Sequence, residues 1–161
     1  MQKHHSKILV LALGNEILHD DAVGILAARQ LRNFSEQYFA MQEFCGGGFD
    51  LVEILNAYDF VLILDSIFTG KHPAGTILEL SKNDFQEMFS LSPHHLGIPE
   101  AMQMIDVLQL PFPKHFCALA MEVENPYDIG EGLSDAVKNA LPQFVKRAEQ
   151  LLRRWKKHSV K

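Results

Sequence analysis

The sequence predicts an α/β fold, a single three-layer domain in which a mostly parallel, five-stranded twisted sheet carries helices on both faces. Three observations predict it. Ile8 to Leu13 and Phe60 to Leu64 are unbroken apolar runs, as expected of strands buried on both faces of a parallel sheet. Between them Ala22, Ile25, Ala28 and Leu31 recur at the spacing of one helical face. Near the end, Val137, Leu141, Phe144, Ala148, Leu152 and Trp155 keep the 3.6 period over many turns, predicting a long amphipathic closing helix.

Taken in order, the first strand is bounded by Lys7 and Gly14, and Asp20-Asp21 suit the N-terminus of the helix that follows. Met41 to Cys45 predicts a short second strand before Gly46-Gly47-Gly48, with Leu51, Val52 and Leu55 marking a short helix. The Phe60 run stops at Asp65, which places a carboxylate at the strand's end. Gly75 to Leu80 alternates after a Pro-Ala-Gly turn and predicts an edge strand, and Phe116 to Val123 predicts a fifth. Pro142 is expected to start or kink part of the closing helix. With no repeat, low-complexity stretch or linker, residues 1–161 read as one domain with flexible tails at 1–6 and 157–161.

Composition narrows the function. The 161 residues are 47% hydrophobic and 22% charged, and a domain of this length buries roughly 70% of its unfolded surface, enough for a core without disulfides. Fifteen Lys+Arg against 20 Asp+Glu give a net charge of -5, so no broad cationic surface exists for nucleic acid. The basic residues of the closing helix read as a solvated face. Two cysteines, Cys45 and Cys117, exclude a disulfide scaffold and a four-thiolate metal site, fit a reducing cytoplasm, and read as structural. The first apolar run is too short to span a bilayer and lacks a cleavage signature, so neither membrane nor secretion is indicated. No coiled-coil seam is evident, and a monomer is the default expectation.

Ligands of open α/β sheets collect at the carboxyl ends of strands, near the switch in strand order. Three segments qualify there: Gly14 to Asp21, Asp65, and Ser92-Pro93-His94-His95-Leu96-Gly97. Two carboxylates and an imidazole can bind a first-row divalent ion and leave a position open. The residues alone favour plainer roles, with Asp20 or Asp21 as a helix cap, Asp65 bonding a turn, and His94 as a loop histidine. No G-x-G-x-x-G or P-loop Lys-Ser/Thr is present, so nucleotide binding is unsupported, and the triple glycine reads as a tight turn. Ser66 lacks the G-x-S-x-G elbow of a serine hydrolase.

The stretch Gly14-Asn15-Glu16-Ile17-Leu18-His19-Asp20-Asp21-Ala22-Val23-Gly24, followed by the strand ending in Asp65 and by Ser92-Pro93-His94, resembles the nickel-iron hydrogenase maturation endopeptidases. The resemblance covers most of the chain and includes the glycine-rich turn and Gly132-Leu133-Ser134 opening the last helix. It implies a cytoplasmic endopeptidase, of aspartyl or metallo type, that removes a short C-terminal extension from the nickel-loaded large-subunit precursor of a nickel-iron hydrogenase. The substrate's nickel would be the recognition signal. By resemblance, the nickel-contacting residues match Asp21, Asp65 and His94, with nickel supplied by the substrate rather than permanently bound. Asp21 or Asp65 would activate water. Two departures stand out: the family's first acid is often glutamate where Asp21 stands, and the residue before the paired glycines is often aspartate where Cys45 stands. The competing expectation is a non-catalytic nickel-sensing assembly adaptor or metallochaperone.

Overall fold

The computed structural model describes residues 7–33, 38–46, 48–88 and 97–159. Strand β1 (Ile8–Leu13) is followed by a one-turn 3-10 helix (His19–Ala22) and helix α1 (Val23–Leu31). Next come β2 (Ala40–Phe44), α2 (Phe49–Asn56), β3 (Phe60–Ile67), β4 (Ile77–Leu80) and α3 (Lys82–Met88). Helix α4 (Ile98–Val107), β5 (His115–Glu122) and α5 (Asp135–Ser159) complete the order.

The strands form one sheet in the order β2-β1-β3-β5-β4. Neighbours β2, β1, β3 and β5 are parallel, and β4 runs antiparallel to β5 at the edge. The expected five-stranded, mostly parallel α/β sheet is therefore present. Strand residues alternate between its two faces, and that period sorts the interior into two cores. Val10, Ala12, Leu62, Leu64, Leu119 and Met121 pack with α1 and α5. Leu9, Leu11, Leu13, Val61, Ile63 and Ala118 pack with α2, α3 and α4. The unbroken apolar runs of β1 and β3 follow from covering both faces, whereas β2, at an edge, is half-exposed and carries Gln42 and Glu43.

Several elements differ from the sequence expectation. Strand β3 does not stop at Asp65 but continues through Ser66 to Ile67, with Asp65 opposite Ala120 of β5. Pairing with a long neighbour on that side carries the ladder past the carboxylate. The closing helix starts at Asp135, so Pro142 does not start it. Pro142 sits on the exposed face, where water can satisfy the carbonyl that loses its partner. Helix α5 also extends through Ser159, so residues 157–159 are helical rather than tail, while 1–6 and 160–161 lie outside the described residues. Helices α3 and α4 fall where no element is expected.

Order reverses at β1, since β2 lies on one side and β3 on the other. The crevice above the carboxyl ends of β1 and β3 is thus the switch point of the sheet. Gly24 brings α1 onto it: a Cβ there would lie 2.6 Å from the Leu13 carbonyl oxygen and collide with that of Leu64. Only glycine allows the first turn of α1 to rest on the ends of both strands.

Candidate active site

A cleft of about 190 Å³ opens at the switch point and is lined by Gly14, Asp21, Cys45, Asp65, Gly97 and Ile98, among others. The lining comes from the end of β1 and the turn after it, the turn after β2, the start of α2, β3 itself and the start of α4. Two of the expected site residues, Asp21 and Asp65, therefore come together. His94, with Ser92, Pro93 and His95, lies outside the described residues, although Gly97 and Ile98 reach the cleft.

The adjacent carboxylates Asp20 and Asp21 have different fates. Asp20 is buried and turned away from the cleft. Its Oδ1 accepts from the backbone N–H of Ser134 and its Oδ2 from the Ser134 hydroxyl, both at 2.7 Å. Ser134 immediately precedes α5, so the carboxylate sits where the positive end of that helix dipole stabilises it. Asp20 does cap a helix, but α5 rather than α1, whose N-terminal residue Ala22 has no side-chain cap. Asp21 remains for the cleft, and its Oδ1 accepts from the Ser66 hydroxyl at 2.7 Å.

The turn that presents Asp21 is held from the far end of the chain. Leu18 forms a bridge with Gly130; the His19 N–H donates to the Gly130 carbonyl at 3.0 Å and the Gly130 N–H to that of Ile17 at 2.9 Å. His19 has φ +40°, a left-handed backbone uncommon outside glycine, and its Nδ1 lies 3.0 Å from the Gly132 carbonyl. A side chain at position 130 would meet the His19 ring, which explains Gly130. Gly14 similarly has no room for a Cβ against the Asp21 carbonyl. Segment 17–20 is thereby pinned to 130–134, with Asp21 carried at its end.

Asp65 is also buried, and its Oδ1 accepts from the Ser66 N–H at 2.8 Å. On the surface beside the cleft, Arg29 donates to Glu16 in the turn after β1 at 2.8 and 3.0 Å and to Glu43 of β2 at 3.0 and 2.9 Å. The hydrogen bond from Arg29 holds the Glu43 carboxyl below its usual range, and the two glutamates, Glu43 foremost, hold the Arg29 proton more firmly than usual.

Both cysteines are free, but their settings differ. Cys117 in β5 is largely buried, and desolvation, helped by Glu79, pushes its thiol up to about 11; it is an inert structural residue. Cys45, by contrast, is exposed in the cleft wall. The strand before it, Ala40–Phe44, ends one residue earlier than the sequence pattern suggests, leaving the thiol in the turn.

Chemically, the site offers two oxygen-donor carboxylates on one wall, suited to taking up a proton from water or to contacting a hard or borderline cation. Among the described residues no group of three or more His, Cys, Asp and Glu is close enough to hold a metal ion. Sequence reasoning weighed Ser66 only as a nucleophile and Ser134 only as part of the opening of the last helix, and missed their bonds to the two acids and the start of α4. The resumption of apolar residues at Ile67-Phe68 signals that β3 runs on past Ser66, and the helical stripe Ile98, Ala101, Met102, Ile105 signals α4.

The model of the hydrogenase maturation protease family matches residues 35–151. The chain is similar to the hydrogenase expression/formation protein HupD of Rhizobium leguminosarum bv. viciae, with 25% identity over 154 residues, 92% of this chain and 75% of that protein. It is 29% identical over 103 residues to the hydrogenase 2 maturation protease of Escherichia coli, 62% of this chain and 63% of that one. The solved structure of the E. coli hydrogenase maturating endopeptidase HybD shares the fold, with a TM-score of 0.77, 24% identity and coverage of 92% of this chain and 93% of that one.

Proposed function

The chain belongs to the hydrogenase maturation protease family, and from that premise we propose that it removes a short C-terminal extension from the nickel-loaded large-subunit precursor of a nickel-iron hydrogenase. The observation that carries this reading is the convergence of Asp21 and Asp65 on one cleft at the switch point of the sheet. Nickel is part of the substrate here, brought in by the precursor's own ligands and met by the two carboxylates together with His94. Carboxylate and imidazole suit such a borderline divalent ion.

Hydrolysis needs a base for water and a proton for the departing amine. One of the two aspartates takes the proton from the water that adds to the scissile carbonyl. The C–N bond then breaks, and the same proton passes to the leaving nitrogen. Asp65, buried at 8% exposure and held by the Ser66 N–H, is fixed in one orientation. Asp21 lines the same cleft and accepts from the Ser66 hydroxyl. Cys45, exposed in the cleft wall, would touch the precursor and influence which one is accepted. Among the described residues no helix is long and apolar enough to cross a membrane, and two unpaired cysteines are compatible with action in the reducing cytoplasm.

The test mixes purified protein with nickel-loaded and nickel-free precursor and follows the precursor's mass, with His94→Ala and Asp65→Asn as variants. Loss of a short C-terminal peptide from the loaded precursor alone, abolished in both variants, is the expected result. Nickel-dependent binding without any mass change, across several precursors, would favour a sensing adaptor instead. Cleavage by Asp65→Asn at the normal rate would remove that residue from both recognition and chemistry.

A further inference from the structure

We propose that Ser66 is a positioning residue that sets the two cleft carboxylates relative to each other, so that Asp21 and Asp65 meet the precursor as one prearranged pair. The inference rests on the protease reading above. It comes from a geometric coincidence within β3. Consecutive strand residues face opposite sides of a sheet, so one side chain does not ordinarily touch residues on both. Ser66 does so by using two different groups: its backbone N–H donates to Asp65 Oδ1 at 2.8 Å and its hydroxyl donates to Asp21 Oδ1 at 2.7 Å.

The hydroxyl is out of place on grounds of packing. Ser66 is 4% exposed and follows the all-apolar run Phe60 to Leu64, where an alanine or a valine would pack without a polar group to satisfy. Its hydrogen bond to Asp21 meets that need and is charge-assisted, the short and strong kind. The partner is drawn from 45 positions earlier in the chain, so the contact ties the turn before α1 to the end of β3. Asp21 is one methylene shorter than a glutamate and reaches less far into a cleft. Fixing its orientation and its spacing to Asp65 matters correspondingly more, because misplacement on the order of 1 Å at a reacting group can lower a rate about 100-fold.

The test measures cleavage of nickel-loaded precursor by Ser66→Ala and by Ser66→Cys, which keeps the size and offers a weaker donor, beside Asp21→Asn and Asp65→Asn. Folding of each variant is checked by thermal unfolding. The expected result for Ser66→Ala is a kcat reduced by about 10- to 100-fold with KM within about twofold, and for Ser66→Cys a smaller reduction. A merely structural role would scale activity with the folded fraction and leave kcat per folded molecule unchanged, which would overturn the proposal. So would a raised KM at constant kcat. Should Ser66→Ala not fold, Ser66→Cys decides alone: full wild-type kcat overturns positioning, and a reduced kcat at unchanged KM supports it. The aspartate variants separate the two levels. If they cleave normally, the reading of the site falls; if they are inactive while Ser66→Ala keeps wild-type kcat, positioning alone falls.

Discussion

Replacing Asp20 by alanine should unsettle the fold rather than the chemistry, although Asp20 adjoins the cleft carboxylate. Both oxygens of Asp20 accept from Ser134 at 2.7 Å, and the carboxylate is 5% exposed. A hydrogen bond to a charged group contributes about 1.5–3 kcal/mol. Both bonds here come from one residue, and water recovers part of the loss once the side chain is gone, so Asp20→Ala should cost about 3 kcal/mol. For a chain of this size that lowers Tm by roughly 6–12 °C. Ser134→Ala removes the hydroxyl but keeps the N–H and should cost about 1 kcal/mol. Because the two residues share one contact, the double variant should be less destabilised than the sum, with a coupling of about 1 kcal/mol. Thermal and urea unfolding read the stabilities, and cleavage of loaded precursor below the lowered Tm reads the chemistry, where Asp20→Ala should keep kcat within several-fold. Strict additivity would refute the pairing. Full stability with abolished cleavage in Asp20→Ala, beside normal cleavage by Asp21→Asn, would exchange the roles assigned to the two acids.

Three further outcomes are expected. Gly24→Ala forces a Cβ against the carbonyl oxygens of Leu13 and Leu64, which are backbone and cannot yield cheaply; a loss of about 1–3 kcal/mol should appear in denaturant unfolding, and an unchanged midpoint would contradict the close approach. Arg29 lowers the Glu43 carboxyl below its usual 4.5, so the unfolded chain protonates first as pH falls. The stability from this pair is full above 4.5 and is lost as pH drops through the folded value; Arg29→Ala should flatten that acid limb in a Tm-against-pH series at low salt, and an identical limb would refute it. Iodoacetamide at pH 8 should modify Cys45 in the native protein and spare Cys117, whose thiol is pushed up to about 11. A second mass increment should appear only on unfolding, whereas rapid native modification of both would contradict the burial.

Much of this architecture is legible in the residues, and the reasons it is legible also explain the gaps. Strands β1 and β3 announce themselves because covering a sheet on both faces requires apolar residues at consecutive positions. The stripe of α5 does so because one helix face is buried over its length. The end of β3 is harder to read. Asp65 looks like a terminator since carboxylates usually are, but pairing with β5 extends the ladder through Ser66 to Ile67, and such pairing is a tertiary event. Helix α4 carries a usable pattern in Ile98, Ala101, Met102 and Ile105, with Pro99 in its first turn, and goes unassigned when the preceding residues are read as a site loop.

At the site, Asp21 and Asp65 are identifiable by their places after apolar runs and by resemblance, and they do share a cleft. What sequence does not separate is Asp20 from Asp21. Neighbouring acids in a turn are equivalent until Ser134, 114 positions away, takes one of them. The bond between Ser66 and Asp21 is likewise invisible to spacing, because it spans 45 positions and depends on where Gly24 allows α1 to sit.

The pinning of segment 17–20 by 130–134 also orders events in time. A ribosome delivers β1 and the turn bearing Asp21 first, and β3 with Ser66 well before β5. The acceptor at Asp20 and the bridge at Leu18 find their counterparts only after Gly130, Gly132 and Ser134 have emerged. A chain lacking that segment would lack every one of these contacts to the turn. The turn that presents Asp21 to the cleft thus depends on contacts between the first and last thirds of the chain.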